Sequence, residues 1–289
     1  MKAVPSNATG MLQDANDNRW LDQLTRLIGK RSKLGKLLDG YRQLKEANDI
    51  CSHFSRYLQP LIASNEDLKS QVFQIRHNVY CNELGFEPIR ENGEETDEFD
   101  RYAKYCLIEH LNTQQYAGTV RIVTPQKSDD KLPIEKYCLD SITNASLNPT
   151  NFARQDICEV SRLAVPNVFR RRQMDRFAGA ATGAINYSTY SETELRCFPF
   201  IAVGLYFSAA ALAMHENIKH AYVMMEPRLA RSMGFVGIRF EQIGPVVDYH
   251  GKRAPYYINQ KLLYKSLTPG FRVMLEHIQK SIELSARNQ

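Results

Sequence analysis

The sequence predicts an α/β protein, with one mixed central sheet flanked by helices and a helical arm in front of it. Three observations carry this. Runs of branched and aromatic residues at 105–109, 117–124, 156–165 and 222–226 have strand length and are bounded by Gly, Pro or charged residues. Between and after them lie longer segments whose apolar residues recur at helical spacing, at 66–84, 201–216 and 271–286. The 289 residues are 43% hydrophobic and 24% charged, an ordinary composition for one large or two small globular domains.

Residues 1–16 are small and polar without a period, and read as a disordered leader. Residues 17–65 form an arm in which Leu21, Leu24, Leu27, Ile28, Leu34, Leu37, Leu38 and Tyr41 fall on helical spacing, with Lys30, Arg31, Lys33 and Lys36 between them. A basic amphipathic helix of this kind docks on its own domain, or meets an acidic protein or a membrane surface.

The helix over 66–84 carries Leu68, Val72, Ile75, Val79 and Tyr80, with Arg76 beside the apolar stripe. Glu83 to Asp100 holds eight carboxylates together with Gly85, Pro88 and Gly93, which predicts a mobile loop with Glu91, Glu94 and Glu95 solvated. Asp97 and Asp100 stand apart, because Phe99, Tyr102 and Tyr105 return the chain to a core. The strand over 117–124 holds Arg121 among Val120, Ile122 and Val123, and Gly118 marks a bulge or a close approach. Residues 125–155 read as a polar crossover with one apolar patch, Ile134 to Leu139.

The stretch 156–172 is the organising one. Ile157, Val160, Leu163 and Val165 give a core strand its apolar content, while Glu159, Ser161 and Arg162 interrupt it. Burying a carboxylate or a guanidinium alone is costly, so the pair is either a structural ion pair or an acid/base group at the floor of a cleft. Pro166 has no N–H and stops the ladder, and Arg170, Arg171 and Arg172 follow, a place to dock phosphate or an acidic partner. Further on, Arg176, Gly179 and Ala181 fit a loose R-x-x-G-x-A phosphate-loop pattern. The strand 222–226 runs to Pro227, which starts a helix, and a strand pair at 236–247 and 256–259 turns at His250, Gly251 and Lys252.

The bulk numbers exclude several classes. A net charge of +5 without aromatic-spaced basic stripes argues against nucleic acid as a partner. Six cysteines without a C-x-x-C pair, spread through apolar segments, read as buried reduced thiols, with neither disulfides nor a metal site. The longest uncharged run, Cys197 to Met214, is interrupted by Pro199 and Ser208 and is short of the roughly 20 strongly apolar residues of a membrane span, so it reads as a buried helix in a cytoplasmic protein.

The ordered set Arg76, Tyr80, Phe86, Asp97-x-x-Asp100, Arg121 in G-T-V-R and Glu159-Val-Ser-Arg162 resembles the signature of acyl-homoserine-lactone synthases, members of the GNAT superfamily of N-acyltransferases. The later text, at 198–207, 225–229 and 244–255, resembles the PEP-CTERM/exosortase-associated acyltransferases, related to long-chain N-acyl amino acid synthases. The match runs over about 66–265, which the resemblance makes a GNAT-like domain, followed by a C-terminal helix over 266–289. Two departures matter. Arg170-Arg171-Arg172-Gln173-Met174 replaces the glycine-rich GNAT loop R-G-x-G-x-G, which favours an acyl carrier protein over coenzyme A as donor. Tyr80 and Phe86 replace the Phe and Trp of the lactone synthases, which weakens the case for their S-adenosylmethionine pocket.

The resemblance implies transfer of a long-chain acyl group from a phosphopantetheine thioester, on acyl carrier protein or coenzyme A, to a small-molecule amine such as an amino acid, without a permanently bound cofactor. Glu159 is the expected general base with Arg162 beside it. Arg76, Tyr80, Phe86, Asp97, Asp100 and Arg121 are expected to position the acceptor. Leu163, Ala164 and Val165 are expected to hold the pantetheine by their backbone, and Arg170, Arg171 and Arg172 the carrier's phosphate. The apolar helix over 201–214 would line an acyl tunnel. The alternatives are a lactone synthase using S-adenosylmethionine, and a catalytically idle GNAT-like module that binds a carrier or a membrane through its basic arm and turn.

Overall fold

The computed structural model describes residues 51–52, 54–170 and 200–287. The expected arm over 20–44, the R-x-x-G-x-A pattern and Arg171 and Arg172 lie outside the described residues. The core is an eight-stranded mixed sheet, and its strands are β1 (Leu58–Ile62), β2 (Ala103–His110), β3 (Gln115–Val123), β4 (Ile157–Ala164), β5 (His220–Met225), β6 (Glu241–Gln242), β7 (Val247–Asp248) and β8 (Lys252–Ile258). Their order is β1-β2-β3-β4-β5-β8-β6, with β7 pairing β8 off this path. The sheet thus takes in a strand, β1, from the stretch the sequence assigned to the arm.

Alternation along the strands gives the sheet two buried faces. Cys158, Val223, Ala254 and Tyr256 face one cluster. Ile157, Tyr222, Met224 and Tyr257 face the other. On the first face lies α3 (Ile201–His215), the expected buried helix, packed against β2, β3 and α6 (Pro269–Arg287). Helix α3 has apolar residues all round, which suits a helix enclosed on every side. Gly204 lets it sit close, since a Cβ there would stand 2.6 Å from the Phe54 ring. Gly118 does likewise on β3, where a Cβ would meet the Ala164 carbonyl oxygen at 2.9 Å, and the β2–β3 register shifts just beside it.

The remaining elements divide between the two faces. Helix α1 (Glu66–Arg76) is capped by Asn65, whose side chain accepts from Leu68 N, and runs on into a π-helical turn, His77–Glu83. The crossover holds a short helix, α2 (Pro133–Tyr137), with Pro133 at its first turn. Helix α4 (Pro227–Phe235) follows β5, and α5 (Gln260–Ser266) follows β8. The closing hairpin differs from the expectation. Pro245 and Gly244 confine pairing to the short β6 and β7, while β8 runs through Pro255, which still offers its carbonyl to Ile243 N at 3.0 Å.

One topological detail creates the site. Strands β4 and β5 are parallel neighbours, yet they pair only over Ile157↔His220, Cys158↔Ala221 and Glu159↔Tyr222. Past that point β4 stays with β3 as far as Ala164 and β5 stays with β8 as far as Met225. The two halves of the sheet part at Glu159.

Candidate active site

The parting of β4 and β5 opens into a cleft of about 490 Å³ whose lining includes Tyr80, Phe86, Asp97, Arg121, Glu159, Arg162 and Leu163. Seven of the expected site residues therefore meet in one place. Arg76 and Asp100 lie behind the wall, Ala164 and Val165 are buried in the core, and Arg170 is bound to Glu83.

Glu159 is 3% exposed, and its Oε2 accepts the backbone N–H of Ile134 at 2.6 Å. That donor belongs to α2, which is held in turn by Glu135: its carboxylate accepts from Leu132 N at 2.7 Å and grips Arg154. Burial pushes the Glu159 carboxyl up to about 8, against the opposing pull of the Ile134 N–H and the Arg121 charge. An ion pair between Glu159 and Arg162 was one of two readings of the sequence. The carboxylates that Arg162 meets are others: Glu87 at 3.1 Å, Glu95 at 3.3 Å and Asp97 at 3.3 Å. In a strand, residues three apart point to opposite faces, and here Arg162 additionally has φ +49°, which turns its side chain toward the acidic loop.

In and behind the cleft wall runs a network of three guanidiniums and four carboxylates. Arg76 grips Asp100 through both terminal nitrogens at 2.7 and 3.1 Å and donates Nε to Glu95 at 2.5 Å. Arg121 donates to Asp97 at 2.6 Å, to Asp100 at 2.8 Å and to Ser161 Oγ at 3.1 Å. Asp97 and Asp100 also form a reciprocal capping box on the turn Glu98–Tyr102. Burial alone would raise the Asp100 carboxyl, but Arg76 and Arg121 hold it well below the usual carboxylate range. Glu95, expected to be solvated, is 0% exposed and bridges Arg76 to Arg162. The acidic loop is thus tied to helix and sheet by charge, because each buried guanidinium needs an anion.

Tyr80 donates its hydroxyl to the Leu163 carbonyl at 2.8 Å, with the Arg162 guanidinium 5.5 Å above its ring. That carbonyl of β4 is therefore satisfied from within the chain. A second, apolar crevice lies under α3 and is lined by Ala209, Ala210, Ala213, Met214 and Ile238 among others; Val160 and Tyr206 line both it and the cleft. The sequence reading did not single out Glu87, Tyr206, Tyr249 or Arg253, all of which line the cleft. Only Arg253, a charge at the start of an apolar run, carried a local signal. Among the described residues, no group of His, Cys, Asp and Glu is arranged to hold a metal ion, and no helix is long and apolar enough to cross a membrane.

Residues 75–179, which bring together the acidic loop, β2, β3 and β4, match the family model of an acetyltransferase (GNAT) domain. The mixed sheet flanked by helices is the GNAT-like fold that the sequence predicts. Among solved structures, similar ones include the AHL synthase LasI, at 16% identity and TM-score 0.47, covering 73% of this chain and 95% of that one. FeeM, an N-acyl amino acid synthase from uncultured soil microbes, is 14% identical with TM-score 0.48, covering 73% of this chain and 94% of its own. BjaI, a CoA-dependent acyl-homoserine lactone synthase, is 17% identical with TM-score 0.48, covering 77% and 89%. No curated protein matches the chain in sequence.

Proposed function

We propose that this protein is an N-acyltransferase that moves a long-chain acyl group from a phosphopantetheine thioester to the amine of an amino acid or similar small molecule. The observation that carries this reading is the position of Glu159, a buried carboxyl at the point where β4 and β5 part, lining a polar cleft that shares Val160 and Tyr206 with an apolar crevice. The family match over 75–179 supports acyl transfer as the reaction class.

In this reading the acyl chain lies in the crevice under α3 and the thioester carbonyl sits at the parting of the strands. The acceptor nitrogen attacks that carbonyl, the C–N bond forms, the C–S bond breaks, and the pantetheine sulfur leaves and takes up a proton. Glu159 receives the proton that the nitrogen loses and passes it on to the departing sulfur. A carboxyl titrating near 8 suits this role, because a base matched to the working pH combines availability with proton affinity. The extended pantetheine runs along the edge of β4 that β5 has left beyond Glu159 and pairs with its backbone as a strand would, apart from the Leu163 carbonyl that Tyr80 already holds. A β4 N–H in that edge serves as donor to the developing oxyanion. Arg162, Arg76, Arg121, Asp97 and Asp100 position the loop and the cleft wall, and Tyr80 and Phe86 form the acceptor side of the cleft.

An acyl carrier protein as donor rests on the run Arg170-Arg171-Arg172, which stands where a glycine-rich loop would favour coenzyme A. The likeness to exosortase-associated acyltransferases identifies no substrate.

The test is mass spectrometry of lipid extracts from cells expressing the wild-type chain or Glu159→Gln. N-acyl amino acids present with wild type alone support the reading, and their head group names the acceptor. Absence of any new product from wild-type cells speaks for an acceptor the cells do not supply or for the idle binding module.

A further inference from the structure

The cationic side chains of the cleft differ in how they are satisfied. Arg121 and Arg162 are each paired with two or more carboxylates, and Arg76 behind them is fully enclosed by Glu95 and Asp100. Their fixed forks are occupied, so none of them is free to receive an anionic ligand. Arg253 is different. It lines the same cleft, its Nε is buried without a hydrogen-bond partner, and among the described residues no carboxylate lies within ion-pair distance of it. An Arg held against a cavity with a buried donor unmet is a standing deficit that a ligand anion would relieve.

Its place in the fold tells which ligand. Arg253 is next to Ala254, which pairs with Met225 at the open end of β5, so it stands on the far side of the gap from β4. Ala254 faces the α3 side of the sheet and Tyr257 the other, so alternation puts Arg253 on the face of Tyr257, Tyr222 and Met224. By the same alternation Glu159 shares that face with Ile157. The crevice under α3, by contrast, opens on the opposite face. Base and unmatched cation therefore share the side of the sheet away from the acyl chain.

We propose that Arg253 receives the carboxylate of the amine acceptor, so that the acceptor is a molecule bearing both an amine and a carboxylate, as a free α-amino acid does. This rests on the reading of the cleft as an N-acyl transfer site, and it assigns the specificity for a carboxylate to one side chain. Amine and carboxylate are then held from opposite walls, the nitrogen toward Glu159 and the anion toward Arg253. Amines without a carboxylate lose this anchor.

The experiment is titration calorimetry of the full chain with N-dodecanoylglycine and N-dodecanoylglycinamide, which present the product's acyl tail with and without the anion. Wild type binds the acid ~10- to 100-fold more tightly than the amide, the span expected for a charge-assisted pair shielded from water. Arg253→Met, which keeps the apolar stem, abolishes that difference, and Arg253→Lys restores part of it. Because Arg253 makes no ion pair among the described residues, the melting temperature of Arg253→Met stays at the wild-type value. Coenzyme A, titrated alone as a phosphate-bearing probe, binds wild type and Arg253→Met alike.

The proposal is overturned if Arg253→Met still discriminates acid from amide, if wild type binds neither compound or both equally, or if the loss is confined to coenzyme A and assigns Arg253 to the donor. Binding is read without turnover. Discrimination that depends on Arg253, together with no N-acyl product from cells, would reject the transfer reaction and keep the carboxylate site.

Discussion

Ile134 donates its backbone N–H to Oε2 of Glu159 at 2.6 Å, across twenty-five residues of sequence, from the first turn of a short helix to the last residue of β4 that pairs with β5. This bond fixes the carboxyl where the sheet parts, while burial keeps its proton affinity high.

Glu159→Gln is expected to lower kcat by ~10²- to 10⁴-fold while the protein stays folded. The wild-type rate should rise with pH through about 8, as the carboxyl becomes a base, and the residual rate of the variant should lack that step. A variant with near-normal kcat would sink the assignment.

The same carboxyl links stability to pH. Its folded value of about 8 lies above the ordinary ~4.3 of a free glutamate, so between those values the folded state binds more protons than the unfolded one. Its contribution is fully present below that window and is lost as pH rises through about 8. Thermal melts should therefore show wild type losing stability relative to Glu159→Gln from pH 5 to pH 9, and parallel curves would contradict the burial argument.

Removing one partner of the buried network should unfold more than it inactivates. Arg76→Ala leaves Glu95 and Asp100 without their principal cation, and breaking a buried pair in this way costs about 3–5 kcal/mol. Denaturant titration measures this directly. A loss below about 1 kcal/mol, the range of exposed pairs, would mean that the network is solvated in solution.

Ala210→Phe should fill the crevice under α3. Long-chain donors should then lose kcat/KM by ~10-fold or more while short-chain donors are spared, since each methylene refused from an apolar pocket is worth about 1–3 kcal/mol. Equal loss for all chain lengths would place the acyl chain elsewhere.

Arg170 bears on the donor. Arg170→Glu should raise KM for carrier-bound acyl groups by about 10-fold at low salt and flatten the salt dependence, with acyl-coenzyme A less affected. An unchanged salt dependence would detach this residue from carrier binding.

Much of the architecture was legible because periodicity reports burial. The interrupted apolar run at 157–165 marked β4, and a lone carboxylate in such a run is visible from local sequence alone. The same holds for Arg121 on β3 and for the buried helix after 200. Glu95 was not legible: it sits among exposed acids of the same loop, and its partners lie nineteen and sixty-seven residues away, at Arg76 and Arg162. Composition over a loop averages out the one acid that a buried cation selects. Arg253 was missed for a related reason. A charge next to a turn is ordinary, and only the fold reveals that its buried Nε has no partner among the described residues.

Arg162 sits in β4 with φ +49°, a backbone state that side-chain-bearing residues seldom adopt and that costs on the order of 1–3 kcal/mol. Glycine would take this conformation freely, yet it carries no cation to satisfy Glu87, Glu95 and Asp97. The two demands at this position pull toward different amino acids, one for torsional ease and one for charge, so every substitution should sacrifice at least one of them. Position 162 is thereby closed to gradual change, and the cleft's outline with it.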